Sequence, residues 1–262
     1  MNNSAATILQ KEQLTKDIYY FNIQLAQAMK KIKAGQFINV QVPNRPDMIL
    51  KRPFGIIDYD YDENSVSFAV QERGEGTKAL CAAKAGDKLD VMMPLGNGFQ
   101  IDDDVKKIAL VGGGIGVFPL LSVLKKHGEK EIYSFLGYKN KESVVFAGRF
   151  ERRSTKTFIS SDDGSIGEKG FITDRVAAHI GSINPDLVLA CGPTAMFKSL
   201  KKVMANYPGI VTNVSLEERM GCGFGACLAC VCETNKNGLK HYDRVCKEGP
   251  VFNLNEVVFN EQ

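Results

Sequence analysis

Five of the chain's seven cysteines lie between Cys222 and Cys246. Cys222, Cys227 and Cys230 read C-x4-C-x2-C, and Cys246 follows later in the run RVC. This is the plant-type [2Fe–2S] spacing, in which a tight loop wraps thiolates around a two-iron diamond and a distant residue closes the last position. Gly221, Gly223 and Gly225 let backbone N–H groups approach the sulfurs, which stabilises an anionic cluster and tunes its potential. The competing chemistry is zinc. Zinc sites favour paired C-x2-C knuckles, and only Cys227/Cys230 form one. Cys232 is a spare thiol that would give C-x4-C-x4-C in place of Cys230, a poorer fit. Cys81 and Cys191 lie elsewhere and are not expected to be ligands. His127, His179 and His241 share no ligand-like spacing, which argues against a histidine metal centre.

Two glycine-bearing loops suit phosphate. The apolar run Ile108–Val111 leads into GGGIGVFP, a G-x-G-x-G-x-x-P pattern with Gly112, Gly114, Gly116 and Pro119. A strand, a glycine-rich turn and a helix together cradle a pyrophosphate on backbone amides. A Rossmann fingerprint would need glycine where Val117 stands, and the loop also reads as a tight packing turn. A second run, Leu187–Ala190, ends in Cys191-Gly192-Pro193, at the carboxyl edge where open α/β sheets bind ligands. Cys191 also fits a small buried apolar role.

Nearer the N-terminus, Arg52-Pro53-Phe54-Gly55 is expected to follow a strand. Its arginine can grip a phosphate bidentately, and its proline suits a strand edge beside a flat ligand. Arg73-Gly74-Glu75-Gly76-Thr77 is placed to open a helix whose amides, with the Thr77 hydroxyl, would receive another phosphate. Either motif alone also reads as a turn or a solvated arginine.

The elements that must position these groups fall into three textures. Up to about residue 100, short alternating stretches such as 36–42, 55–59 and 66–71 are punctuated by Pro43–Asp47 and Ala85–Asp87, the pattern of an antiparallel sandwich or barrel. From Lys106, the buried-strand runs IALVGG, EIYSFLG, KTFISS and DLVLACGP alternate with helical patterns over 117–127, 174–180 and 194–205, which predicts a doubly wound parallel α/β sheet. From about Val214 the chain is short, rich in Gly and Cys, and closes on a strand-like stretch Asn255–Asn260.

The 262 residues suit roughly two ordinary domains. With 44% hydrophobic and 24% charged residues, the composition is that of a globular protein. A net charge of +3 and the absence of a basic arm argue against nucleic acid. No apolar run is long enough to span a bilayer, and MNNSAATILQKEQ has no signal-peptide pattern. A cytoplasmic setting is therefore expected, where cysteines are more often metal ligands or free thiols than disulfides.

In order, the motifs R-P-F-G, G-E-G-T, G-x-G-x-G-x-x-P, C-G-P and the cysteine cluster resemble the ferredoxin reductase family. LEERMGCGFGACLACVC, DRVCKEGPVF and SDDGSIGEKGFITD are similar to its branch of dihydroorotate dehydrogenase B electron-transfer subunits. The resemblance covers essentially the whole chain. It implies an N-terminal antiparallel Greek-key β-barrel for FAD (1–101), a doubly wound α/β domain for NAD (102–213) and a small C-terminal iron–sulfur subdomain (214–262). Arg52, Pro53, Phe54, Gly55, Ala69, Val70 and Gln71 would line the flavin, and Gly76 and Thr77 its pyrophosphate. NAD would lie near Gly112, Gly114, Gly116, Cys191, Gly192 and Pro193.

The broader family carries Tyr and Ser/Thr where this chain has Phe54 and Gly55, and often an arginine near Gln71, so those contacts must differ. The implied role is a relay. FAD interchanges two-electron and one-electron chemistry between NAD and the cluster. The three regions use up the sequence, leaving no dihydroorotate site, so an FMN-containing catalytic subunit is the implied partner, in a heterotetramer with two copies of each chain. NAD is preferred to NADP because Gly137–Asn140 lacks a Ser/Arg cluster for a 2′-phosphate. An NAD(P)H:ferredoxin or sulfide/polysulfide reductase subunit, and a non-enzymatic zinc-stabilised interaction module, are the alternatives.

Overall fold

A computed structural model describes residues 2–259. Six strands, β1 (Asn2–Gln13), β2 (Ile18–Leu25), β3 (Phe37–Val40), β4 (Arg52–Asp60), β5 (Ser65–Gln71) and β6 (Lys88–Leu95), close into an antiparallel barrel in the order β1-β2-β5-β4-β3-β6. Period-two alternation drives the closure. Phe21 and Ile23 on β2 and Val66, Phe68 and Val70 on β5 all point into one buried core. Phe68 stacks between Phe21 and Phe54, with ring centroids 5.4 and 5.5 Å away. Helix α1 (Glu75–Ala82) adds Leu80 and Cys81 to that core. One sequence expectation is corrected here: Arg52–Gly55 does not follow a strand but forms the first half of β4, paired with Val40–Phe37 of β3.

The second layer is a sheet of β7 (Lys107–Gly113), β8 (Glu131–Tyr138), β9 (Lys156–Ser161), β10 (Glu168–Lys169), β11 (Leu187–Cys191) and β12 (Val211–Ser215). A hairpin, β13 (Val231–Lys236) and β14 (Leu239–Arg244), precedes β15 (Val251–Asn253). Sheet order is β10-β9-β8-β7-β11-β12-β15, parallel except for β15, which runs antiparallel to β12. Ile108 and Leu110 of β7 face a core shared with α2 (Val117–Lys126) and α3 (Ala147–Arg153). Ala109 and Val111 face one shared with α4 (Ile172–Ile183) and α5 (Thr194–Met204). Each large apolar side chain buried there stabilises the fold by about 1.5–3 kcal/mol. The topology reverses between β7 and β11, which puts the two glycine loops side by side at the carboxyl edge.

The C-terminal stretch is tied to both layers. Asn97, just after β6, donates its backbone N–H to the Gly249 carbonyl at 2.6 Å, and its Nδ2 to Lys247 O and Glu248 O at 2.9 and 3.1 Å. Val245, Cys246, Phe252 and Leu254 join the α4/α5-side core. The strand expected at Asn255–Asn260 is instead β15, six residues upstream in its centre of gravity: 254–256 turn, and Val257 makes one bridge to Thr234. Asn260 lies outside the described residues. Helix α3, β10, β12 and the hairpin carry little apolar pattern. The hairpin buries Thr234, packs Cys232 against the α4/α5-side core, and carries Lys236–Asp243 and Lys240–Glu233 ion pairs at 2.6 and 2.8 Å.

Candidate cofactor sites

The cysteine loop brings its thiols together as two pairs. Cys222 N–H donates to Cys227 Sγ at 3.3 Å, and Ala226 N–H to Cys222 Sγ at 3.2 Å. Burial acts to raise the Cys222 thiol, but amides of Phe224, Cys227 and Ala226 and the Cys227 thiol outweigh it, bringing it down to about 6. Amide donation to its sulfur favours the thiolate of Cys222, the form that ligates metal. The second pair is buried. Cys246 N–H donates to Cys230 Sγ at 3.4 Å, and burial with the Cys230 thiol pushes Cys246 up to about 12. Two pairs suit a two-iron diamond, one pair per iron, better than the single tetrahedron of a zinc ion. Among the described residues, no three such groups converge on one ion. Cys232 stands apart on β13 opposite Asp243, its thiol pushed up to about 12 by burial.

Arg244 braces this loop. Its Nη1 donates to Gly225 O at 2.7 Å, while its Nε donates to Glu248 Oε2 at 2.9 Å in a two-pronged ion pair. That pair holds the Glu248 carboxyl down to about 2.

On the barrel, the sequence-distant motifs meet. The Arg52 guanidinium lies over the start of α1, with Nε and Nη2 at 3.1 and 3.2 Å from where a Cβ on Gly76 would sit. A cation and uncapped helix-start amides converge there, a combination that receives a phosphate. The Thr77 hydroxyl is engaged locally: it accepts from Arg73 and Gly74 N–H at 2.9 and 3.0 Å and donates to Gly74 O. Pro53 and Gly55 are half-buried on β4, with Gly55 against Pro119 of α2, while Phe54 packs on Phe68. Ala69 and Val70 lie on β5, Val70 inside the barrel. Gln71 carries no charge, but its Oε1 accepts from Arg73 Nε at 2.7 Å and its Nε2 donates to Asp17 at 2.7 Å. Arg73 thus puts a guanidinium beside the position where the wider family has one.

At the carboxyl edge the two glycine loops touch. An alanine Cβ at 116 would lie 2.2 Å from the Cys191 carbonyl oxygen, so only glycine permits that approach. Gly116 thus packs the first loop against the second. The same contact sets Gly114, Gly116, Gly192 and Pro193 on the wall of a cleft of about 1570 Å³. Gly112 ends inside β7 against Val117, and Cys191 is fully buried, its thiol pushed up by desolvation. The α5 N-terminus, which has no side-chain cap, opens on the cleft at Thr194. The cleft is continuous from Gln71 and Arg73 of the barrel, past both loops, to Glu217 and Cys232 of the C-terminal stretch.

Several residues here escape sequence reasoning. Glu217 lines the cleft with its carboxyl raised by desolvation, an effect Arg73 opposes. Asp162 borders it at the end of β9, beside Ser160, whose buried hydroxyl has no partner. Only Arg73, a cation two residues past Gln71, had a signal in the sequence.

Three family models match consecutive segments: an oxidoreductase FAD-binding domain over 5–99, an oxidoreductase NAD-binding domain over 110–202, and the iron–sulfur cluster binding domain of dihydroorotate dehydrogenase B over 217–258. A dihydroorotate dehydrogenase B (NAD(+)) electron transfer subunit from Geobacillus sp. (strain WCH70) is 38% identical, covering 98% of this chain and 99% of that one. The chain belongs to the dihydroorotate dehydrogenase B electron-transfer subunit family. Another such subunit, from Bacillus cereus (strain Q1), is 35% identical over the same shares. The family's ferredoxin-reductase-like architecture recurs in solved structures. A chain of an NADH-dependent reduced ferredoxin-NADP oxidoreductase aligns with TM-score 0.84 and 29% identity over 96% of this chain and 89% of that one. Phthalate dioxygenase reductase aligns with TM-score 0.69 and 20% identity over 90% and 87%, a likeness of fold. Against this family the flavin, nicotinamide and iron–sulfur expectations of the sequence hold, and the zinc-module alternative falls.

Proposed function

We propose that this chain is the electron-transfer subunit of an NAD-dependent dihydroorotate dehydrogenase of pyrimidine biosynthesis. It relays electrons from the FMN of a catalytic partner through its cluster and FAD to NAD⁺, in a cytoplasmic assembly of two copies of each subunit. One observation carries the reading: a single cleft runs from Gln71 and Arg73 of the barrel past both glycine loops to Glu217 and Cys232 of the C-terminal stretch.

Bound FAD supplies the exchange between two-electron and one-electron chemistry. The chain's residues do the holding. Residues 1–101 form the FAD unit, where Arg52 with the α1 amides at Gly76 and Thr77 grips the pyrophosphate. Pro53, Phe54, Gly55, Ala69, Val70 and Gln71 border the ring, with backbone N–H replacing the missing hydroxyls. Residues 102–213 form the NAD unit. Gly112, Gly114 and Gly116 shape the first loop, Cys191 anchors the second from beneath, and Gly192 and Pro193 face the dinucleotide. NAD is taken over NADP because the loop after β8 carries no Ser/Arg cluster for a 2′-phosphate, although Lys139 lines the cleft together with Asp162. Residues 214–262 form the cluster unit, in which Cys222, Cys227, Cys230 and Cys246 would ligate the irons.

An NADH:ferredoxin-type subunit is a second reading, favoured by the 29% identical structural relative. Co-expression with the FMN subunit decides between them. Dihydroorotate-dependent reduction of NAD⁺ by the purified complex supports the first. A flavin- and cluster-loaded chain that reduces ferredoxin and binds no such subunit supports the second.

A further inference from the structure

One buried polar group is not used by the sites above. Ile38 and Val40 of β3 point into the barrel, so Asn39 between them points out. An outward asparagine on a barrel is normally wet, yet Asn39 is fully buried, and neither its Nδ2 nor its Oδ1 has a hydrogen-bond partner. Its cross-strand neighbours are Pro53 of the proposed flavin strand and Met92 of β6. What covers it is the cysteine loop. A Cβ on Gly223 would lie 1.9 Å from Asn39 Nδ2, and Gly223 has φ +78°. Only glycine meets both demands, and it sits directly after Cys222. Buried carboxamides without partners are costly and rare, so one aimed at a functional loop calls for a partner there.

We propose that Asn39 is a positioning residue of the electron path, its carboxamide pairing with the Gly223 turn of the cysteine loop and linking that loop to β3 beside Pro53. The inference rests on the cluster reading given above. The N–H end of the amide faces the turn: a Cβ on Gly223 would lie 1.9 Å from Asn39 Nδ2 but 3.7 Å from its Oδ1. A donor beside an anionic cluster favours its more negative, reduced state, so Asn39 raises the cluster's midpoint potential.

The test compares the FAD- and cluster-loaded wild-type chain with Asn39→Leu and Asn39→Ala. Iron, sulfide and flavin contents, melting temperature and an EPR-monitored redox titration are measured on each. A cluster midpoint shifted negative with a changed EPR line, at unchanged flavin content, is the expected result. Loss of the cluster alone, with flavin and melting temperature kept, also supports the proposal. Wild-type midpoint and line shape in either loaded variant overturn it. Loss of flavin and fold together in both variants assigns Asn39 a packing role and overturns it too. A wild-type chain that binds no cluster would instead defeat the functional reading.

Discussion

At the scale of single residues, the chemistry depends on which thiols share an iron. Cys230 and Cys246 are buried in contact, whereas Cys232 sits apart on the hairpin opposite Asp243. Cys230→Ser is therefore expected to lose the visible and EPR signature of the cluster, and Cys232→Ser to keep it with normal iron and sulfide content. Arg52 offers a second test. A charge-assisted phosphate contact is worth about 1.5–3 kcal/mol, so Arg52→Ala should weaken FAD binding about 10–100-fold, read by flavin fluorescence titration. The cysteines were legible in the sequence because their spacing marks them, while Arg52 drew its expected flavin role from the family resemblance rather than from its own motif. Asn39, Glu217 and Asp162 were not legible. Their roles come from neighbours far away in sequence, and an isolated polar residue carries no mark of what will cover it.

Elements set the tolerances that residues then exploit. The β7–α2 and β11–α5 turns approach so closely that Gly116→Ala must move one of them. Overpacking of this kind costs about 1–3 kcal/mol, and the displaced turns should also weaken NADH binding, measured by calorimetry and thermal unfolding. In the C-terminal stretch, the Arg244–Glu248 pair ties the cysteine loop to the turn that Asn97 holds on the barrel. Glu248 is depressed from 4.5 to about 2. Its contribution is present at neutral pH and is lost as pH falls through that window. Glu248→Gln should cost about 1 kcal/mol at pH 7, since the pair is partly solvent-screened. The gap to wild type should close between about pH 4.5 and 2, followed by denaturant unfolding of the cofactor-free chain. Strands with clean alternation, and helices with a long apolar stripe, were readable beforehand. Helix α3, β12 and the charged hairpin were missed because tertiary pairing, not local pattern, defines them.

At the scale of the whole molecule, the three textures of the sequence become one body because β15 returns to the edge of the sheet and Asn97 clamps the turn before it. The cleft that results is bounded by all three parts. Family relatives are electron-transfer subunits by description. The isolated, cofactor-loaded chain should therefore oxidise NADH with ferricyanide as acceptor, yet show no dihydroorotate-dependent bleaching of flavin or cluster. Adding the FMN subunit should restore dihydroorotate-dependent reduction of both. Because the cluster loop lies on the barrel through Gly223 and Asn39, Cys222→Ser or Cys230→Ser should separate the two activities. NADH:ferricyanide turnover, which needs only the flavin cleft, should stay within about 2–3-fold of wild type, while dihydroorotate-to-NAD⁺ transfer is lost. Dihydroorotate oxidation by the chain alone would remove the need for a partner. Equal loss of both activities in folded, flavin-loaded cysteine variants would place the cluster on the nicotinamide side of the flavin.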